Sequence, residues 1–166
     1  KGVYVVGDAS GKHMLQHAAA YEINHLGRIL LEDCKEPLYF KYMPHAVFTE
    51  PEIASVGITE QKAKEKNIKY ITSTTNWLAS AKAMSTRLHY PVTKFLINPD
   101  NYEILGCHMI GPESSTMMHQ VLAVMHINND VRHIKEMLYI HPALSEALLP
   151  AAVAAVKEVE KYNKKS

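Results

Sequence analysis

The stretch from Val92 to Ile110 constrains this chain most. Val92-Thr93-Lys94-Phe95-Leu96-Ile97 and residues 103–110 are β-prone runs joined by Asn98-Pro99-Asp100-Asn101, the residue types that close tight turns. They predict an antiparallel hairpin, which needs more strands and a covering layer to be stable. Ala46-Val47-Phe48-Thr49 and Ile53-Ala54-Ser55-Val56-Gly57 read as strands around Glu50-Pro51-Glu52, and residues 68–75 have strong strand propensity. Thr59 suits the N-cap of a helix over residues 60–66, and residues 77–87 read as a helix or irregular crossing. Residues 114–128, 131–138 and 142–161 carry helical patterns, with Pro142 at the first helical position, and the Lys- and Glu-rich end reads as a frayed tail. Strands followed by helices predict an α+β domain, with an antiparallel sheet of three or four strands flanked by helices.

The first forty residues belong to something else. Val3-Tyr4-Val5-Val6 reads as a buried strand and Gly7-Asp8-Ala9-Ser10-Gly11 as a turn. A helix follows from Met14, continuing apolar through Ile23, Leu26, Ile29 and Leu30. This strand-turn-helix is half of a unit whose sheet partners are missing. Pro37 and Pro44 flank an irregular aromatic segment, so the boundary is placed there: residues 1–43 as one domain's remnant, residues 44–166 as a second domain.

Composition excludes several function classes. Eighteen Lys and Arg against seventeen Asp and Glu give a net charge of +1, which offers no capture of nucleic acid or an anionic membrane. The apolar runs are far shorter than the roughly 20 residues that span a bilayer. Cys34 and Cys107 match neither a disulfide framework nor a CxxC pair, and two reduced thiols fit a cytoplasmic protein. The ten histidines include His119, His126 and His133 at seven-residue intervals, but no metal-binding spacing, so no metal site is expected.

Two constellations can carry chemistry. Asp8, at the end of the first strand, either faces the crevice where α/β sheets bind ligands or caps the next helix. Beyond it, the helix start at Met14, Leu15, Gln16 and His17 offers free backbone N–H groups and the positive end of a dipole. The second constellation is His141-Pro142-Ala143-Leu144-Ser145-Glu146. On a continuous helix, side chains five apart diverge by about 140°, but a His141 outside the helix can turn back toward Glu146. The carboxylate would then fix the ring's tautomer and leave its other nitrogen free for proton transfer. The alternative is a loop-filling His before Pro, with Glu146 on a solvated face.

Together, Val3-Tyr4-Val5-Val6-Gly7-Asp8 with Met14-Leu15-Gln16-His17, residues 48–60 around Glu50-Pro51-Glu52, Ile104-Leu105-Gly106-Cys107-His108-Met109-Ile110-Gly111-Pro112 and His141-Pro142-Ala143-Leu144-Ser145-Glu146 resemble the flavoprotein pyridine nucleotide-disulfide oxidoreductases, closest to the dihydrolipoamide dehydrogenase branch. The resemblance implies an FAD-dependent, NAD- or NADP-linked enzyme, with residues 1–43 as the end of its FAD-binding domain and residues 44–166 as its interface domain. It implies that Asp8 binds FAD and that Met14, Leu15, Gln16 and His17 approach the flavin. His141 would be the acid/base and Glu146 its orienting partner, acting in a homodimer on a disulfide or dithiol such as lipoamide. The nucleotide-binding glycine motifs and the redox cysteine pair are absent, so the isolated chain is expected to be inactive, to carry no FAD, and to meet NAD or NADP through a domain outside it. Tyr139 stands where dihydrolipoamide dehydrogenases usually carry His, and Gly111-Pro112-Glu113-Ser114-Ser115-Thr116 departs from the family pattern. Mercuric- or mycothione-type reductases, or a non-catalytic dimerisation module, are therefore the alternatives.

Overall fold

Five strands form one antiparallel sheet in the order β1-β2-β5-β4-β3: β1 (His45–Val47), β2 (Ile53–Gly57), β3 (Ile71–Asn76), β4 (Val92–Ile97) and β5 (Ile104–Ile110). This computed structural model describes residues 2–165. The helices are α1 (Gln16–Leu31), α2 (Glu60–Glu65), α3 (Ala81–Ser85), α4 (Ser114–Ile127), α5 (Val131–Glu136) and α6 (Leu148–Asn163). Short 3-10 turns occupy Gly7–Ser10, Trp77–Ala79 and Leu144–Ala147. The chain divides into two compact units, Lys1–Met43 and Pro44–Ser166, and the architecture is α+β.

Turn chemistry explains the central hairpin of β4 and β5. The Asn98 and Asn101 side chains accept from the backbone N–H groups of Asp100 and Glu103, both at 3.0 Å, as Asx-turns do. Gly57 faces Gly106 across β2 and β5. A Cβ on Gly57, whose φ is +77°, would lie 2.2 Å from the Leu105 carbonyl oxygen, so this crossing admits only glycine.

Strand alternation separates the two faces of the sheet. Ala54, Val56, Phe95, Cys107 and Met109 are buried on one face, where α4 packs on β2 and β5 and α6 packs on β3 and β4. Helix α6 buries Leu148, Ala151, Ala152, Ala155, Val156 and Val159, a stripe of helical period. Pro150 sits in its first turn, where the missing N–H costs nothing. The other face carries His45, Ser55, His108, Lys94 and Thr74 in one cross-strand row.

Several expectations need correction. The sheet has five strands rather than three or four, and α6 is helical to Asn163 where a frayed tail was expected. Pro142 does not open the last helix: Ala143 is extended, and a 3-10 turn begins at Leu144. Val3, Tyr4, Val5 and Val6 form no strand, and the first three are exposed. β-branched residues favour an extended chain, but a strand also needs a ladder partner, and none pairs with these residues among the described ones. Helix α1 begins at Gln16, not Met14, because Leu15 is extended (φ −138°, ψ 133°) and its carbonyl accepts the first helical bond from Ala19. His13, whose ring meets the Phe40 edge at 5.0 Å, anchors the chain just before it.

Candidate active site

Glu146 is the third residue of the Leu144–Ala147 turn, so its carboxylate reaches back over the residues that precede the turn. Its Oε2 accepts the Ala143 N–H at 2.8 Å, the return half of a capping box. Its Oε1 lies 2.9 Å from His141 Nδ1. An ionised carboxylate only accepts, so Nδ1 carries the proton and donates, and the Nε2 lone pair is left free. The imidazole is exposed (69%) whereas the Glu146 side chain is largely covered (18%). The Ala143 amide, and then His141, hold the Glu146 carboxyl below its usual range, so it stays charged at neutral pH. A fixed carboxylate, an oriented imidazole and an outward basic nitrogen can move a proton to or from a docked partner.

Tyr139 enters the same loop from α5. Its hydroxyl donates to the Ile134 carbonyl at 2.8 Å, and burial pushes its pKa up to about 12, so it remains a neutral anchor. The neighbouring Leu138 and Ile140 are fully or largely exposed.

The other group of expected site residues lies in the Lys1–Met43 unit. Asp8 is exposed in the Gly7–Ser10 turn, where its backbone carbonyl accepts the Gly11 N–H at 3.1 Å. It does not cap α1, whose N-cap is Leu15. Met14 and Leu15 precede α1, while Gln16 and His17 are its first two residues. The N-cap residue makes no side-chain capping bond, and no acidic residue lies in the first turn, so the positive end of the helix dipole favours a negative charge there.

Residue-level reading missed Glu22, which is 4% exposed and accepts the Gly7 N–H at 2.6 Å, holding the turn that carries Asp8. The signal was present: Glu22 follows the buried Ala18 by four residues, which places a carboxylate on the helix's inward stripe. Among the described residues, no group of three or more His, Cys, Asp or Glu could hold an ion. Among those residues, no helix is long and apolar enough to cross a membrane.

Comparison with known proteins identifies the family of this chain. The dimerisation domain of the pyridine nucleotide-disulphide oxidoreductases matches residues 43–152. A dihydrolipoyl dehydrogenase of Synechocystis is 34% identical over 161 residues, covering 93% of this chain and 33% of that protein. The chloroplastic dihydrolipoyl dehydrogenase 2 of Arabidopsis thaliana is 34% identical over 151 residues, covering 88% of this chain and 26% of that protein. This chain thus spans a third or less of the length of those relatives. Among solved structures, the HOCl-induced flavoprotein disulfide reductase RclA from Escherichia coli superposes with a TM-score of 0.83 at 22% identity, over 90% of this chain and 35% of that one. LpdA from Mycobacterium tuberculosis gives a TM-score of 0.82 at 22% identity, over 92% of this chain and 33% of that one. By the match over residues 43–152, this chain belongs to the pyridine nucleotide-disulphide oxidoreductase family and contains its dimerisation domain.

Proposed function

We propose that this chain is the C-terminal part of an FAD-dependent, NAD(P)-linked disulfide oxidoreductase of the dihydrolipoamide dehydrogenase type. In this reading Lys1–Met43 is the end of the FAD-binding domain and Pro44–Ser166 the interface domain, and two copies pair as a homodimer. The observation that carries the reading is the His141–Glu146 pair at 2.9 Å with Nε2 free. The names of the relatives from Synechocystis and Arabidopsis support the substrate class, a dithiol such as dihydrolipoamide. The two free thiols, Cys34 and Cys107, support a cytoplasmic setting.

The residues present fit one wall of a flavin site. Asp8 offers an exposed carboxylate to ligand hydroxyls, and the start of α1 at Gln16 and His17 offers the positive end of its dipole beside exposed Met14 and part-exposed Leu15. FAD, when bound, supplies electron transfer between a dithiol and the nicotinamide. This chain's own work is proton handling. His141 Nε2 takes the proton of a substrate thiol and returns it in the reverse direction, while Glu146 keeps Nδ1 protonated and balances the charge the ring gains. In the homodimer, His141 of one copy serves the redox disulfide of the other.

The test is His141→Gln in the flavin-loaded enzyme. Turnover with dihydrolipoamide is expected to fall about 10²-fold with flavin content unchanged; full turnover overturns the reading. Mixed dimers of a His141 variant with a redox-cysteine variant should regain activity. Those with both changes in one subunit should not, and the reverse pattern places the pair within its own subunit.

A further inference from the structure

We infer that Ser80 is a positioning residue for the His141–Glu146 pair: it holds the carbonyl of Ala143, the residue whose N–H orients Glu146. The inference rests on the proton-transfer role proposed above for that pair.

The two oxygens of Glu146 have different partners, His141 on Oε1 and the Ala143 N–H on Oε2. Rotation of this carboxylate is soft, because terminal sp³–sp² torsions have broad wells. Its orientation is therefore only as good as that of the Ala143 N–H, which moves with the Ala143 backbone. Ala143 lies outside regular structure, after the exposed Leu138, Ile140 and His141. Within the turn, its carbonyl accepts the Glu146 N–H at a long 3.3 Å. Among the described residues, the hydrogen bond that reaches the Ala143 backbone from outside this loop and turn comes from Ser80, whose Oγ–H donates to the Ala143 carbonyl at 3.2 Å, in the peptide group that follows the N–H bound by Glu146.

Ser80 is built to be immobile. It is 3% exposed and is the N-cap of α3, where its Oγ accepts the Ala83 N–H at 3.5 Å. The acceptor role of the hydroxyl thus faces α3, and its single proton is left for Ala143. The Ser80 N–H is tied to the Trp77 carbonyl at 2.9 Å. Trp77 is 1% exposed, its indole N–H donates to Thr93 Oγ1 of β4 at 2.9 Å, and its own N–H is bound by the Pro91 carbonyl. Its ring lies so close to Gly111 that a Cβ there would come within 2.7 Å. A path therefore runs from the sheet through Trp77 and Ser80 to the Ala143 carbonyl, across the Ala143 backbone to its N–H, and through Glu146 to His141. Proton transfer depends steeply on such placement: a misplacement of 1 Å can cost about 10²-fold.

The experiment compares Ser80→Gly and Ser80→Thr, both on this chain by NMR and in the flavin-loaded enzyme. Gly is nearly as good an N-cap as Ser, so Ser80→Gly deletes the donor and largely spares α3. The ¹³C carboxyl titration of Glu146 is expected to move up toward the ordinary carboxylate range in Ser80→Gly, with Ala143 amide exchange faster by about 10-fold. Enzyme kcat should fall about 10-fold with KM for the dithiol and flavin content unchanged, and Ser80→Thr, which keeps the hydroxyl, should restore all of these. A folded Ser80→Gly protein whose Glu146 titration matches the wild type overturns the inference. If Ser80→Gly does not fold, Ser80→Cys, a weaker donor of similar size, must move the Glu146 titration in the same direction, and no movement overturns it. A large loss in His141→Gln beside an unaffected Ser80→Gly removes only the positioning role. If His141→Gln itself keeps full turnover, the proton-transfer reading falls, and the Glu146 titration alone then upholds or overturns the Ser80 contact.

Discussion

Helices α1 and α6 are both 16 residues long and both carry an apolar stripe, yet they use it in opposite ways. Helix α6 buries six apolar residues against β3 and β4. Helix α1 buries only Ala18 and Glu22, leaving Ile23, Ile29, Leu30 and Leu31 exposed. The first is held by burial, at roughly 25 cal/mol for each Å² of apolar surface removed from water. The second is held by polar and aromatic contacts: Glu22 on the Gly7 N–H, and the His13, Tyr21 and Phe40 rings. An isolated helix of this length is marginal in water. Amphipathic sequence thus makes a helix possible, and the layer facing it decides whether the stripe stabilises anything.

The largest expected effect tests this contrast directly. Phe95→Ala, at a fully buried position of the sheet, should destabilise Pro44–Ser166 by about 3–5 kcal/mol. Leu30→Ala, at a position 52% exposed, should stay within about 0.5 kcal/mol. Urea denaturation of both variants measures the difference, and similar losses would break the comparison.

A smaller effect should be confined to the first unit. Glu22→Ala leaves the Gly7 N–H without its carboxylate partner, a change worth about 1–3 kcal/mol locally. Hydrogen exchange should accelerate in residues 7–11 and α1, while the amides of β4 and β5 keep their protection. Acceleration throughout the sheet would show that the two units unfold as one.

The smallest effect belongs to the open face of the sheet. The half-buried His108 ring bonds Ser55 Oγ and the Ile58 carbonyl, each at 3.1 Å. Burial first, then Lys94 and His45, hold its pKa below the usual 6.5, against the opposing pull of the Ile58 carbonyl. The unfolded chain therefore binds this proton more readily than the folded one. The resulting stability is complete above about pH 6.5 and is lost as pH falls through the lower folded pKa. His108→Gln should flatten that part of the stability curve, and a slope equal to the wild type's would remove His108 as its source.

Legibility differed between elements for physical reasons. The β4–β5 hairpin was readable because its turn residues and its period-2 burial are local properties. The N-cap role of Thr59, which accepts the Lys62 N–H at 3.2 Å, was readable for the same reason. The absent first strand was not, because strand formation depends on a partner that local propensity cannot supply. The start of the last helix was misplaced because Pro142 suits a first helical turn, whereas Glu146 instead organises a short turn from Leu144.

The sequence by itself determined the residue types of the candidate site, the β4–β5 hairpin and the run of helices after it. These follow from short-range rules of period, capping and backbone freedom. Only the tertiary structure decided which way the Glu146 carboxylate points, that Glu22 carries the turn beside Asp8, and that Ser80, 63 residues from Ala143, reaches the same loop. The Ser80 contact joins residues whose separation along the chain carries no pattern, so only the packing of the Trp77–Ala79 turn near the Leu144–Ala147 turn brings them together.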